Sequence, residues 1–224
     1  WNLVPTIISD YLLSHNLLHV NQHGFQKNRS TLSNLLTSTH HWHSSLNSNK
    51  STDVIYIDFA KAFDSVSHPK LLLKLRSYGI SGTLLNFISA WLSGRTQSVL
   101  VEGVLSDSLA VISGVLQGSV LGPLLFLIFI NDIIDNLPPS AHPLLFADDL
   151  KLYSDETTIP CPSSPGSLFS PVLQYSLDVI SEWSSKWQLP ISHSKCSVLC
   201  ISHSKKCSPR SYTIALIKLP QVSS

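Results

Sequence analysis

Two short β-type runs, Pro143-Leu144-Leu145 and Leu150-Lys151-Leu152-Tyr153, leave only Phe146-Ala147-Asp148-Asp149 to turn the chain between them. A hairpin is the economical solution, and it sets two adjacent carboxylates at its tip. Adjacent acids in a turn are common for backbone reasons alone, because short polar side chains stabilise turns. Their weight comes from upstream. Asp53 to Phe59 is β-branched and aromatic, reads as a central strand, and places Asp58 behind Val54-Ile55-Tyr56-Ile57. A carboxylate in such a setting is expected to be largely buried, and then requires a cation, a metal or a raised pKa.

The rest of the chain reads as α+β. Helices are predicted over residues 3–18, from a Ser30 cap through Leu32, Leu35, Leu36 and Thr39 on one face, over Pro69 to Tyr78, and over about Gly82 to Ser93. Thr96 to Val101 and Leu109 to Ser113 read as a hairpin around Glu102-Gly103, and Ser119 to Leu137 as one long helix stopped by Pro138-Pro139. An irregular Pro/Ser/Gly-rich connection, a helix over Val172 to Trp187, and strands over Ser197 to Ile201 and Tyr212 to Ile217 complete it.

Composition excludes several classes. With 43% hydrophobic and 13% charged residues among 224, the chain is expected to fold around a substantial core, and a net charge of +1 supplies no overall basic field for nucleic acid. The apolar run Val120 to Ile130 is too short to span a bilayer, and no signal peptide is evident, so an intracellular location, nuclear or cytoplasmic, is expected. Cys196, Cys200, His203 and Cys207 offer zinc-type ligands, but a strand would hold Cys196 and Cys200 roughly 13 Å apart. Irregular cysteine spacing favours a reducing compartment. Methionine is absent, so Trp1 reads as an internal position of a longer protein.

Four ordered blocks then carry a resemblance to the reverse transcriptases of non-long-terminal-repeat (LINE-type) retrotransposons. They are Gln22-His23-Gly24-Phe25 with Arg29-Ser30-Thr31, Tyr56 through His68, Gly114 through Phe126, and Phe146-Ala147-Asp148-Asp149. The resemblance implies a polymerase palm, an antiparallel sheet backed by helices, with partial fingers and no thumb. Residues 1–52 would form the partial fingers, 53–155 the palm core, 156–170 an irregular connection, and 171–224 the rest of the palm, ending before the thumb.

It further implies an RNA-directed DNA polymerase in which Asp58, Asp148 and Asp149 are catalytic and hold two Mg²⁺ ions. The implied partners are an RNA template, a DNA primer and deoxynucleotides, with an endonuclease domain elsewhere in the parent protein. Phe63 matches the aromatic that excludes a 2′-hydroxyl, though it also reads as a core aromatic. Gln117 and Gly118 match the nucleotide pocket, or a helix-entry turn. Phe59 and Ala60 would offer main-chain N–H groups to the triphosphate. Lys195 matches a lysine that assists the leaving group, with Ser192 and Cys196 departing from the family's usual asparagine and threonine. Lys27 and Arg29 read as template or phosphate contacts, or equally as solvated charge. Two other readings stand beside this one: an inactive palm remnant that at most binds RNA, and an RNA-directed RNA polymerase or cyclase-type palm.

Overall fold

The computed structural model describes residues 3–155, 158–203 and 208–222. In chain order its elements are α1 (Leu3–Ser14), α2 (Thr31–Asn47), β1 (Thr52–Ile57), α3 (His68–Ser77), α4 (Gly82–Leu92), β2 (Thr96–Gln97), β3 (Leu100–Val101), β4 (Val104–Leu105), β5 (Leu109–Ala110), α5 (Leu121–Ile130), β6 (His142–Phe146), β7 (Asp149–Ser154), β8 (Ile159–Pro160), β9 (Leu168–Phe169), α6 (Pro171–Trp187), β10 (Ser197–Ile201), β11 (Thr213–Ile214), β12 (Ile217–Lys218) and β13 (Gln221–Val222). They fall into two compact units, one of residues 1–18, 61–130 and 187–189, the other of 19–60, 131–186 and 190–224.

The first unit is helical. Its α5 is apolar all round and buried throughout except at Pro123, as expected of a helix enclosed by others, and α1 and α3 pack against it. Among the described residues no helix is long and apolar enough to cross a membrane. Lys74, buried in the last turn of α3, donates its ammonium to the carbonyl of Phe129, one of the acceptors left open at the end of α5. The predicted hairpin forms as two nested pairs, β2 with β5 and β3 with β4, turned at Glu102 and Gly103 with φ of 48° and 82°.

The second unit is built on a five-stranded sheet in the order β13-β10-β1-β7-β6, antiparallel except between β10 and β13. β1 is interior to it, and Val54, Ile55 and Ile57 are at most 2% exposed. At its far end, Asp53 pairs with Arg210 (Nε to Oδ1, 2.8 Å) and accepts a hydrogen bond from the buried Tyr212 hydroxyl. Tyr212 Oη in turn accepts from the Ser170 amide at 2.8 Å, which ties the start of α6 to the sheet. Burial and the neighbouring carboxylate drive the Tyr212 phenol well above its ordinary pKa, so it stays a donor.

α2 corrects the sequence reading. Ser30 does cap it, in a reciprocal box with Ser33, and the helix continues to Asn47. Its apolar face, however, is not the buried one: Leu32, Leu35 and Leu36 are 52–62% exposed, while Asn34, Ser38 and Ser45 are buried. The cause lies on β7. Lys151, 9% exposed, sits opposite Tyr56 in the ladder and must find donors' partners within the fold. It donates to Asn34 Oδ1 at 3.4 Å and Ser38 Oγ at 3.1 Å, with the rings of Trp42 and Tyr56 5.3 and 5.9 Å away. Burial lowers its pKa. A buried ammonium therefore dictates which face of α2 turns inward.

Two other elements are shorter than predicted. The helix expected over Ser119 to Leu137 gives way to a 3-10 turn at Asn131–Ile134, and Tyr212 to Ile217 divides into β11 and β12 around Ala215 and Leu216, both at positive φ. Of the zinc-type group, Cys207 lies outside the described residues. Cys196 Sγ is engaged by the Ser192 carbonyl at 3.3 Å and Cys200 Sγ accepts from Arg210 at 3.2 Å.

Asn34→Ala would leave the buried Lys151 short of a partner and is expected to cost about 1–3 kcal/mol in chemical denaturation. Lys151→Met, of similar length and apolar, is expected to be neutral or stabilising. Equal losses for the two would refute the account of α2.

Candidate active site

The antiparallel register of β1 on β7 ends with Ile57 opposite Leu150, which leaves Asp58 and Asp149 as the next residues out along the two strands. Side chains alternate across a strand, so these two carboxylates leave the sheet on the face that Tyr56 and Lys151 share. β6 and β7 pair up to Phe146 and Asp149, leaving Ala147 and Asp148 as a two-residue loop. Ala147 takes φ of 57°, left-handed backbone that a non-glycine residue adopts at a cost of order 1–3 kcal/mol. Asp148 follows it directly. The hairpin predicted around these acids thus forms, and the three carboxylates gather in the second unit.

Their electrostatics are those of a crowded acidic site. Burial first, then the charges of Asp149 and Asp58, raise the Asp148 pKa, with Lys195 opposing. Asp149 is raised by burial and by Asp58. Asp58 is less buried than expected, its side chain 32% exposed, but its Oδ1 is enclosed and accepts no hydrogen bond. Lys195 Nζ stands 3.6 Å from that oxygen. The lysine is carried there by the turn before β10: Ser192 donates to the Asp58 carbonyl at 2.8 Å, Lys195 N–H to Ser192 O at 2.9 Å, and the buried Cys196 accepts from the Asp58 amide at 3.5 Å.

The same turn corrects one expectation. Ala60 was read, with Phe59, as offering its N–H to a triphosphate, yet the Ala60 amide donates to Pro190 O at 2.7 Å; Phe59 lies opposite Ile191 in the same bridge, which is made by its two neighbours. The chain leaving β1 stays paired, and Phe59 is 3% exposed with its ring edge-on to Trp183.

A cavity of about 400 Å³ opens beside the acids, with Asp58, Asp149, Lys151 and Lys195 in its wall and Tyr56 and Leu35 as apolar lining. Among the described residues no three His, Cys, Asp or Glu side chains converge closely enough to grip a metal unaided. The donor set still fits Mg²⁺, which keeps waters and substrate oxygens and takes only one or two carboxylates from the protein. The enclosed, unbonded Asp58 Oδ1 is the open acceptor such an ion would fill.

The first unit holds Phe63, Gln117 and Gly118. Residues 113–117 are zipped to 63–66: Gly114 N–H donates to Val66 O and Val115 N–H to Phe63 O, both at 2.8 Å, and Ser113 Oγ to Asp64 O at 2.9 Å. Gly114 is required by this approach, since its φ is 92° and a Cβ there would stand 2.9 Å from the Asp64 backbone. The exposed Gln117 donates to Asp64 Oδ1 at 2.9 Å, and Phe63 stacks on Phe126 with centroids 4.3 Å apart. His68 meets the Gly114 carbonyl at 2.8 Å. A polar cavity of about 550 Å³ beside them includes Lys61, Arg95 and Gln117. Lys27 and Arg29 are exposed, Arg29 3.4 Å from His23 Nε2.

Sequence reasoning assigned no role to Gln22, His23 or Lys151, which prove to be buried polar residues around the acidic hairpin. The Gln22–Gly24 spacing was visible, but its contact with Ala147 lies 125 residues away in the chain.

Comparison with solved structures gives the class. Apo telomerase from Candida tropicalis, truncated from its C-terminal domain, superposes with a TM-score of 0.64 at 14% identity, over 91% of this chain and 41% of that one. Telomerase from the same organism in complex with a fragment of telomeric RNA gives 0.65 at 12%, over 91% and 34%. The fold is that of a palm-type polymerase. Residues 3–214 match the family described as reverse transcriptase (RNA-dependent DNA polymerase), and the chain belongs to it.

Its relatives are polymerases of non-long-terminal-repeat retrotransposons. The RNA-directed DNA polymerase from mobile element jockey of Drosophila melanogaster is 32% identical over 146 residues, covering 63% of this chain and 15% of that protein. The Pol polyprotein from type-1 retrotransposable element R2 of Popillia japonica is 32% identical over 136 residues, 56% and 22%. The probable polymerase from transposon X-element of Drosophila melanogaster is 25% identical over 219 residues, 98% and 24%. The chain therefore spans 15–24% of the length of these relatives.

The raised carboxylates carry a stability consequence. A folded-state pKa above the unfolded value contributes stability that is present below the unfolded pKa, about 3.9 for Asp, and lost as pH rises through the folded value. At pH 7 the metal-free chain therefore bears a cost that Asp149→Asn removes. Its melting temperature is expected to exceed the wild type's at pH 7 and to match it near pH 3.5; an equal offset at both would refute the assignment.

Proposed function

We propose that this chain carries the nucleotidyl-transfer site of an RNA-directed DNA polymerase, extending a DNA primer's 3′-hydroxyl with deoxynucleotides on an RNA template. The observation that carries the reading is that the β1–β7 register and the β6–β7 turn bring Asp58, Asp148 and Asp149 to one end of the sheet, near enough for the charges of Asp149 and Asp58 to raise the Asp148 pKa. Reverse transcriptases use divalent metal ions generally. Here two Mg²⁺ ions would be held by Asp58 and Asp148, with Asp149 beside them, and would supply activation of the attacking hydroxyl and charge neutralisation at the triphosphate.

The chain's own residues take the remaining roles. Lys195, beside Asp58, is assigned to the departing pyrophosphate. Phe63, backed by Phe126, is assigned to sugar selection, since an aromatic wall in place of open space rejects a 2′-hydroxyl. Gln117 and Gly118 are assigned to the nucleotide: Gln117 carries an amide at the surface, and Gly118 has a φ of 78° that leaves its backbone open with nothing within 4 Å of a would-be Cβ. Lys27 and Arg29, exposed and basic, are assigned to template phosphates. Residues 1–52 act as fingers, 53–155 and 171–224 as palm.

Primer extension on an RNA template with Mg²⁺ and deoxynucleotides tests the reading, using this chain and a version lengthened to match the relatives' polymerase region. Asp148→Asn is expected to abolish extension, and Phe63→Ala to admit ribonucleotides. Loss of neither, or no product from the lengthened wild type, would favour the inactive remnant.

A further inference from the structure

Ala147 has both of its backbone polar groups taken by one side chain. Gln22 Oε1 accepts from Ala147 N–H at 2.9 Å, and Gln22 Nε2 donates to Ala147 O at 3.1 Å. The same Oε1 also accepts from Gly24 N–H at 2.8 Å, which holds the amide in one orientation. Gln22 is 2% exposed.

Its main chain is anchored alongside. His23 N–H donates to Leu145 O at 2.8 Å and Leu145 N–H to Asn21 O at 2.9 Å, so residues 21–23 extend the sheet edge beyond β6 up to the turn. Gly24 then closes on the turn itself: a Cβ there would stand 2.3 Å from Ala147 N.

The Ala147 N–H belongs to the peptide plane joining it to Phe146, and its carbonyl to the plane joining it to Asp148. Gripping both fixes the two planes on either side of a residue held at φ of 57°. With both planes held, Ala147 cannot change its backbone angles without breaking its hydrogen bonds to Gln22, and such a change would re-aim Asp148, the next residue of the turn.

We infer that Gln22, with Gly24, is the positioning residue of the acidic turn: it touches no reacting atom and acts by holding Asp148 in the orientation that a divalent cation requires. This rests on the assignment of Asp148 as a metal ligand. Outer partners that orient a ligand typically change metal affinity by 10- to 100-fold when removed.

The test is Mn²⁺ titration of the 224-residue chain, read by loss of the free-ion electron paramagnetic resonance signal, with thermal melts of each variant. Gln22→Met keeps the length and removes all three hydrogen bonds; Gly24→Ala disturbs the same contact from the backbone side. Both are expected to weaken Mn²⁺ binding roughly 10- to 100-fold. Tyr212→Phe, which breaks a buried hydrogen bond at the far end of β1, is the stability control and is expected to lower the melting temperature with Mn²⁺ affinity unchanged.

Wild-type affinity in Gly24→Ala and in folded Gln22→Met would overturn the inference, as would an equal loss of affinity in Tyr212→Phe. Should Gln22→Met not fold, Gly24→Ala decides. Asp148→Asn separates the underlying assignment: if it binds Mn²⁺ like the wild type, the metal role of Asp148 fails first, and the inference with it.

Discussion

The antiparallel register of β1 on β7 is the constraint on which the acidic site depends. Because Ile57 lies opposite Leu150, Asp58 and Asp149 are the next residues out on the two strands, and the hairpin that β7 shares with β6 delivers Asp148 next to them. A slip of one residue would send Asp58 to one face and Asp149 to the other. What prevents the slip is burial: Val54, Ile55, Ile57, Leu150 and Leu152 are all within 2% of full enclosure, and Lys151 has its acceptors on α2 only in this register. The hydrophobic interior thus sets the position of the charges that oppose it.

The site is built at an energetic loss when it stands alone. The charges of Asp58, Asp148 and Asp149 repel one another, one oxygen of Asp58 lacks a hydrogen bond, and Ala147 holds a strained φ. Lys195 offsets a part of this, at 3.6 Å from Asp58 and largely in solvent, where an ion pair contributes little. A site arranged this way has free energy to gain from a divalent cation. A chain whose acids merely decorated a surface turn would not concentrate them against an enclosed face.

The local signals in the sequence were those that survive folding unchanged. Ser30 caps α2, Pro69 opens α3, Gly79 ends it, and the acidic hairpin turns where two β-runs demand it. What was not legible depends on partners distant in sequence. The apolar stripe Leu32, Leu35 and Leu36 pointed to the wrong buried face because nothing local reveals that Lys151 lies beneath α2. The end of α5 at Ile130 carries no glycine or proline, so the helix reads on to the prolines that follow Leu137. Among the site residues the carboxylates stood out by their strand and turn settings, whereas Gln22 stood in one of the four blocks without a role, its amide bonds visible only once β6 lies beside it.

Ala147 also bears on how this stretch tolerates sequence drift. Its methyl group is enclosed, 5% exposed, against Gly24. A β-branched replacement would meet both the left-handed backbone and that neighbouring chain; glycine would relieve the backbone but widen the conformations open to the acid that follows. The strands on either side can exchange one aliphatic for another with modest penalty. Over many generations of copying, the turn is therefore expected to stay narrow in the residues it accepts while its flanks diversify, so the same four-residue block remains recognisable after the surrounding similarity has faded.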